Sequence, residues 1–134
     1  DMLQAMNTGH DGSLTTGHAN DPRDFLARLE TMVMMAGTEL PERAIREQIS
    51  AALDFVIQLS RFADGSRKLT YITEILGMKG DTIASQDIFR FKQTGMSEDG
   101  RIVGKILPTG IVPKFYVDLK QKGLPVNMSI FRET

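Results

Sequence analysis

The chain contains no cysteine and no tryptophan. Without cysteine it can form no disulfide, no thiolate metal site and no cysteine nucleophile, and nothing in it requires an oxidising compartment. It has no excess of one charge, because 16 basic residues nearly balance 17 acidic ones, and this argues against a nucleic-acid partner. No apolar run approaches the roughly 20 residues that a membrane-spanning helix needs. These absences favour a soluble domain in a reducing cytoplasm.

The composition that remains is typical of one globular domain of 134 residues, with 41% hydrophobic and 25% charged residues. Charge is unevenly placed: residues 1–66 carry five basic and ten acidic side chains, and residues 67–134 carry eleven and seven. The chain opens on Asp1 rather than Met, inside a segment with a helical pattern, Asp1–Met6. We therefore expect it to be part of a longer protein.

Two further helices are predicted in the first half. The first has Asn20 or Asp21 as its N-cap, Pro22 at its first helical position and Gly37 beyond its end. Its apolar residues recur at helical spacing. The second helix is predicted from Pro41 to about Leu53, with charged residues such as Arg46 on its solvated faces.

The remaining segments are rich in β-forming residues and turn signals, which predict an α/β fold. Two of the strands form a hairpin, and the C-terminal segment contains a helix that Pro113 opens and Gly123 closes. The predicted strands are Leu14–Ala19, Asp54–Phe62, the hairpin pair Lys68–Leu76 and Thr82–Phe91, and Arg101–Ile106.

The two histidines of the chain, His10 and His18, lie in one glycine-rich stretch that includes the loop Asn7–Ser13. Free backbone N–H groups, hydroxyls and an imidazole can all donate to an anion, so this stretch suggests a phosphate-facing switch loop. For an arbitrary pair of histidines, a solvated loop residue and a hydrogen-bonded strand end are the commoner roles. The pair lacks the HExxH spacing of a zinc site, and no metal site is expected.

The stretch LQAMNTGHDGSLTTGHAN, from Leu3 to Asn20, resembles the His box of secretion ATPases. The spacing from His10 to His18 is similar to that of the CpaF branch, the pilus-assembly ATPases of the type II/IV secretion superfamily. Extension and retraction ATPases of that superfamily have one residue fewer between the histidines. Further stretches resemble the same family: Pro22–Asp24, Leu40–Pro41, Ala44–Ile49, Asp64–Lys68, Ile72–Glu74 and Gln86–Phe89.

The resemblance implies a fold and a function. The fold is the C-terminal portion of a RecA-like P-loop NTPase domain with a β-hairpin extension and a small C-terminal helical segment. It implies three parts: residues 1–62 with the His box, 63–106 with the hairpin and a short strand, and 107–134. The full-length protein would be a cytoplasmic homo-hexamer, bound peripherally to the inner membrane through platform proteins. It would use ATP and Mg, and His10 and His18 would sense the γ-phosphate.

Phosphoryl transfer also needs a lysine-bearing phosphate loop and a carboxylate that organises magnesium. The nearest match to the loop motif, Gly100–Ile106, is one residue short, lacks the final hydroxyl and leads into a strand instead of a helix. We reject it, and we expect the family's Walker A, acidic box and Walker B motifs to lie before Asp1. The chain alone is then not expected to hydrolyse ATP, and no cofactor-binding residue is assigned within it.

A function of another class competes with this interpretation. The chain would then be a non-catalytic module that docks an inner-membrane secretion platform, and the histidines would serve structure only. A structural ion pair is a more probable role than a nucleotide contact for each of Arg23, Arg28 and Arg61. The methionines at positions 32, 34 and 35 are predicted to be adaptable core. With part of the RecA-like sheet missing, an apolar edge is expected to be exposed.

Overall fold

The computed structural model describes residues 14–37 and 39–133. The predicted helix Asp1–Met6, the loop Asn7–Ser13 and His10 lie outside the described residues. The described part has mixed α/β architecture with a long hairpin and a C-terminal helix, which confirms the predicted fold class. Its elements are α1 (Pro22–Met35), α2 (Glu42–Ala52), β1 (Phe55–Arg61), β2 (Arg67–Lys79), β3 (Thr82–Met96), β4 (Ile102–Pro108), α3 (Lys114–Gln121) and a 3-10 helix (Met128–Phe131).

The first helix begins and ends where the sequence predicts. The Asp21 carboxylate accepts a hydrogen bond from the backbone N–H of Asp24 at 2.8 Å, and Pro22 opens the helix. A helix start leaves its first N–H groups without backbone partners. The Asp21 carboxylate satisfies one of them, and Pro22 has no N–H to satisfy. At the other end, Gly37 adopts a φ of +84°, which suits glycine. Of the two predicted N-caps, Asp21 is the one used.

Helices α1 and α2 pack against each other through aliphatic side chains. Ile45 and Ile49 on α2 are completely buried, and Leu26 and Leu29 on α1 are nearly so. Burying each of these side chains contributes about 1.5–3 kcal/mol before conformational entropy is counted. This packing explains why a charged 11-residue helix such as α2, marginal in isolation, is stable here.

The strands form one sheet in the order β1-β2-β3-β4. Strands β3 and β4 are antiparallel, with Phe89 opposite Pro108 and Met96 opposite Ile102. Both hairpin strands are longer than predicted. Gly77, which lies between the two predicted hairpin strands, is inside β2 with a φ of +98°, so the turn shortens to Gly80 and Asp81.

Contacts divide the chain into two compact units. Unit 1 comprises the described residues up to Phe55 together with Ile75–Ser85, and unit 2 comprises Val56–Glu74 with the described residues from Gln86 onward. The expected family division at residues 1–62, 63–106 and 107–134 stays a prediction.

The core of unit 2 combines apolar and hydrogen-bonded polar side chains. Phe131 is buried, and the Tyr116 ring meets it edge-on at a centroid distance of 4.6 Å. Thr73 is buried and donates to the Asp87 carboxylate at 2.8 Å. Across the described residues, no buried side-chain nitrogen or oxygen lacks a hydrogen-bond partner. The polar core groups are therefore satisfied, as burial requires.

Two sequence predictions are wrong. Leu14–Ala19 forms no strand: these residues are irregular, and Leu14 is fully exposed, because no described strand lies beside them to complete a ladder. The methionines are not core either. Met32, Met34 and Met35 are exposed, since the buried side of α1 consists of Pro22, Leu26 and Leu29.

Strand β1 lies at one edge of the described sheet and carries two exposed apolar side chains, while the expected edge of a larger RecA-like sheet stays a prediction. Ile57 is 64% exposed and Leu59 is 66% exposed, whereas the neighbouring residues Val56 and Gln58 are buried. Separately, none of the helices within the described ranges has the length and apolar character that crossing a membrane demands.

Candidate functional site

The candidate site is the irregular segment Leu14–Asn20, which leads into α1 and carries His18. His18 is exposed and stands three residues before the helix cap Asp21. An exposed imidazole can donate or accept a hydrogen bond, and it can do so toward a ligand outside the unit. His10, the other residue of the predicted pair, lies outside the described residues, so the structure does not test their proximity.

The backbone of the segment lies directly against the ring of Phe25 on the first turns of α1. A Cβ atom added at Gly17 would lie 2.6 Å from Cε1 of Phe25 and 3.3 Å from its Cδ1. These distances are far shorter than ordinary van der Waals contacts of about 3.5–4.0 Å. Only glycine therefore fits immediately before His18 while the Phe25 ring keeps this position.

A hydrogen bond fixes the other side of His18. The Asn20 backbone N–H donates to the Asp24 carboxylate at 2.9 Å, and Arg28 donates to the same carboxylate through Nε at 3.0 Å. The bond from Asn20 is the main cause that lowers the pKa of Asp24, and Arg28 adds to it. The ionised carboxylate thus joins the segment to α1 at Asn20, two residues after His18.

The carboxylates nearest His18 in sequence are engaged in this local structure. Asp21 caps α1, and Asp24 accepts from Asn20 and Arg28. Among residues 14–37 and 39–133 no group of three or more His, Asp or Glu side chains could hold a metal ion. No chemical step is assigned to a metal ion at this segment.

The three arginines weighed from the sequence differ in their surroundings. Arg28 forms the expected ion pair, with Asp24. Arg23 is exposed on the first turn of α1, and Arg61 is exposed at the end of β1. Because Arg23 and His18 flank the same helix start, Arg23 is the arginine nearest in sequence to the candidate site.

Arg46 has a structural role that its position on a helix did not predict. It pairs with Glu30 of α1 at 3.0 Å and with Glu42 of its own helix at 3.3 Å. Its Nη1 also donates to the Asp81 backbone carbonyl at the hairpin turn, 3.2 Å away. The hydrogen bond with Glu30 is the main cause that raises the pKa of Arg46. Arg46 thus joins three elements of unit 1, an arrangement that depends on contacts distant in sequence.

Phe25 is the site residue that sequence reasoning missed. Its helical spacing marked it only as an apolar position of α1, whereas the structure places its ring against Gly17. The available signal was the glycine itself, because a glycine inside a threonine-rich segment indicates either a special φ or a close approach.

The fold and site together define a mixed α/β domain that presents a histidine at the entrance to a helix. The sequence model of the family described as Type II/IV secretion system protein matches residues 1–103. The chain belongs to this family.

Two curated relatives are named for conjugal transfer. A putative conjugal transfer protein of Mycobacterium tuberculosis is 31% identical over 107 residues, which cover 80% of this chain and 29% of the relative. The conjugal transfer protein TrbB of Rhizobium radiobacter is 33% identical over 79 residues, which cover 59% of this chain and 22% of TrbB. The chain thus spans less than a third of the length of these relatives.

Proposed function

We propose that the chain is the His-box and C-terminal part of the motor domain of a CpaF-like ATPase. The full-length protein would be a cytoplasmic homo-hexamer that hydrolyses Mg·ATP and powers pilus assembly or type II/IV secretion from an inner-membrane platform. Membership of the secretion family supports the class of protein. The placement of His18 carries the proposed role of the site: an exposed side chain on a backbone held at Gly17 and Asn20.

His18 would act on the γ-phosphate of a bound nucleotide. Its imidazole would donate a hydrogen bond to a phosphate oxygen or to the attacking water, and so stabilise charge that develops in the transition state. His10 would act beside it, as the resemblance to the His box implies. A fixed backbone favours this role, because a donor that is already oriented costs no reorganisation when the reaction occurs.

The rest of the catalytic machinery would lie in other parts of the full-length protein. The sequence Gly100–Ile106, the nearest match to a phosphate-loop motif, runs from a turn into strand β4, so it does not open a helix. Phosphate loops bind through N–H groups at a helix start. Within this chain the proposed chemistry therefore rests on the histidines.

The test is the His18→Ala substitution in the full-length protein. We expect the kcat for ATP hydrolysis to fall about 100-fold, the usual effect of removing one preorganised donor, with the hexamer intact by sedimentation. Lys122→Ala, at an exposed position in unit 2, is the control and should keep normal turnover. Unchanged turnover in the His18 variant would contradict the proposal and favour the non-catalytic docking module.

A further inference from the structure

We propose that Phe25 is a positioning residue for His18, because its ring occupies the space that a side chain at position 17 would fill. The inference rests on the proposed function, in which the His18 imidazole contacts phosphate. Phe25 would not touch the nucleotide. It would act through the backbone of Gly17, which is covalently joined to His18.

Residue 17 is glycine because the Phe25 ring leaves no room for a side chain, and not because its backbone conformation requires glycine. Seven glycines of the described chain have a positive φ, and Gly17 is not among them. Any residue could therefore adopt the backbone conformation at position 17, yet a Cβ there would lie 2.6 Å from the Phe25 ring. The glycine and the phenylalanine are thus a complementary pair, one lacking a side chain where the other places its ring.

The contact matters because the segment has no regular structure of its own. Residues 14–20 make no strand or helix, and two contacts with α1 help to place them. The Asn20–Asp24 hydrogen bond fixes the position two residues after His18, and the Gly17–Phe25 contact fixes the position immediately before it. Both anchors lie on the first turn of one rigid helix, which limits how far the His18 backbone can turn.

Three variants of the full-length protein test this pair: Gly17→Leu, Phe25→Ala and the two together. The first forces a side chain into the ring, and the second removes the ring. In the double variant, the leucine side chain at position 17 fills the space that the Phe25 ring has left. Gly95→Leu is the matched control, since a Cβ at Gly95 meets nothing within 4 Å and its φ is not positive.

Two readouts separate positioning from catalysis. Amide hydrogen exchange at Asn20, whose N–H donates to Asp24, should rise about tenfold without nucleotide in each single variant and return to within about twofold of wild type in the double variant. The kcat for ATP hydrolysis should fall about tenfold in each single variant and recover in the double variant, with KM nearly constant, because misplaced catalytic groups lose rate. Gly95→Leu should change neither readout.

The inference is overturned if Phe25→Ala leaves exchange and kcat at wild-type values, or if the double variant is no better than the worse single variant. A different result would identify failure of the proposed function instead. If exchange follows the expected pattern while kcat stays constant in every variant, including His18→Ala, the contact holds the segment but the proposed catalytic role of His18 is refuted.

Discussion

Two acidic side chains of unit 2 each accept hydrogen bonds from backbone N–H groups far along the chain. Asp64, in the β1–β2 turn, accepts from the N–H of Ile102 at 2.7 Å. Glu74, on β2, accepts from the N–H of Lys114 at 2.8 Å and from that of Phe115 at 3.3 Å. These carboxylates connect a turn to the start of β4 and a strand to the start of α3.

Loss of the Glu74 carboxylate should destabilise the protein strongly. Glu74 is 4% exposed, and its Oε1 also accepts from the Gln86 amide at 2.8 Å. Glu74→Ala would leave these partly buried donors without their partner, which costs about 1–3 kcal/mol of unfolding free energy by urea denaturation. Glu98→Ala, at an exposed turn position, should change stability by less than about 0.5 kcal/mol. Equal effects of the two substitutions would contradict this role.

Asp64 should make stability depend on pH at the acid end. Hydrogen bonds from the Ser66 hydroxyl, from the Ile102 N–H and from the Ser66 N–H lower the pKa of Asp64 from 3.8 to about 2. A lowered folded-state pKa gives stability that is fully present above the unfolded pKa and is lost as pH falls toward the folded value.

The measurement is urea unfolding of wild type and Asp64→Asn between pH 2 and pH 7. The variant should be less stable above about pH 4, and the difference should shrink as pH falls toward 2. A difference that stays constant over this range would show that the charge of Asp64 contributes nothing.

At the scale of elements, local signals predict the helices and long-range contacts decide the strands. Helix α1 is predicted almost to the residue because Asp21, Pro22 and Gly37 mark its ends in the sequence. The extents of β2 and β3 depend on pairing between strands, so a glycine at position 77 reads as a turn although it lies within β2. Leu14–Ala19 does not form the expected strand. A strand needs a paired neighbouring strand, and a local sequence pattern cannot show whether one is present.

The packing of α1 on α2 predicts an asymmetry between two isoleucines. Ile49 is completely buried and Ile57 is 64% exposed. Ile49→Ala should lower the free energy of unfolding by about 2–5 kcal/mol, because it leaves a cavity between the helices. Ile57→Ala should cost less than about 1 kcal/mol, the span of strand propensity. Urea denaturation of both variants checks the difference, and comparable losses would refute the assigned core.

At the scale of the whole molecule, β1 presents an apolar edge. Ile57 and Leu59 are exposed on a strand at the side of the sheet. Exposed apolar edge strands promote association between chains. We expect the 134-residue chain to associate as its concentration rises in sedimentation velocity, and Leu59→Lys to reduce this association. A wild-type chain that sediments as a monomer at every concentration would contradict the expectation.

How far the candidate site can be predicted also differs between its residues. The resemblance to the His box selects His10 and His18, because the motif lies in one continuous stretch of the sequence. It does not select Phe25, whose part depends on where the ring lies relative to Gly17. The exposure of the three methionines was missed for the same reason, since a helical pattern does not say which side of α1 meets α2.

We propose that this chain holds the His-box part of a motor whose catalytic site needs further residues from the full-length protein. The most direct test compares Mg·ATP hydrolysis by the 134-residue chain with hydrolysis by a version extended upstream through the phosphate loop. We expect turnover in the extended protein only. Hydrolysis by the 134-residue chain itself would contradict the proposal, because the active site would then be complete without that loop.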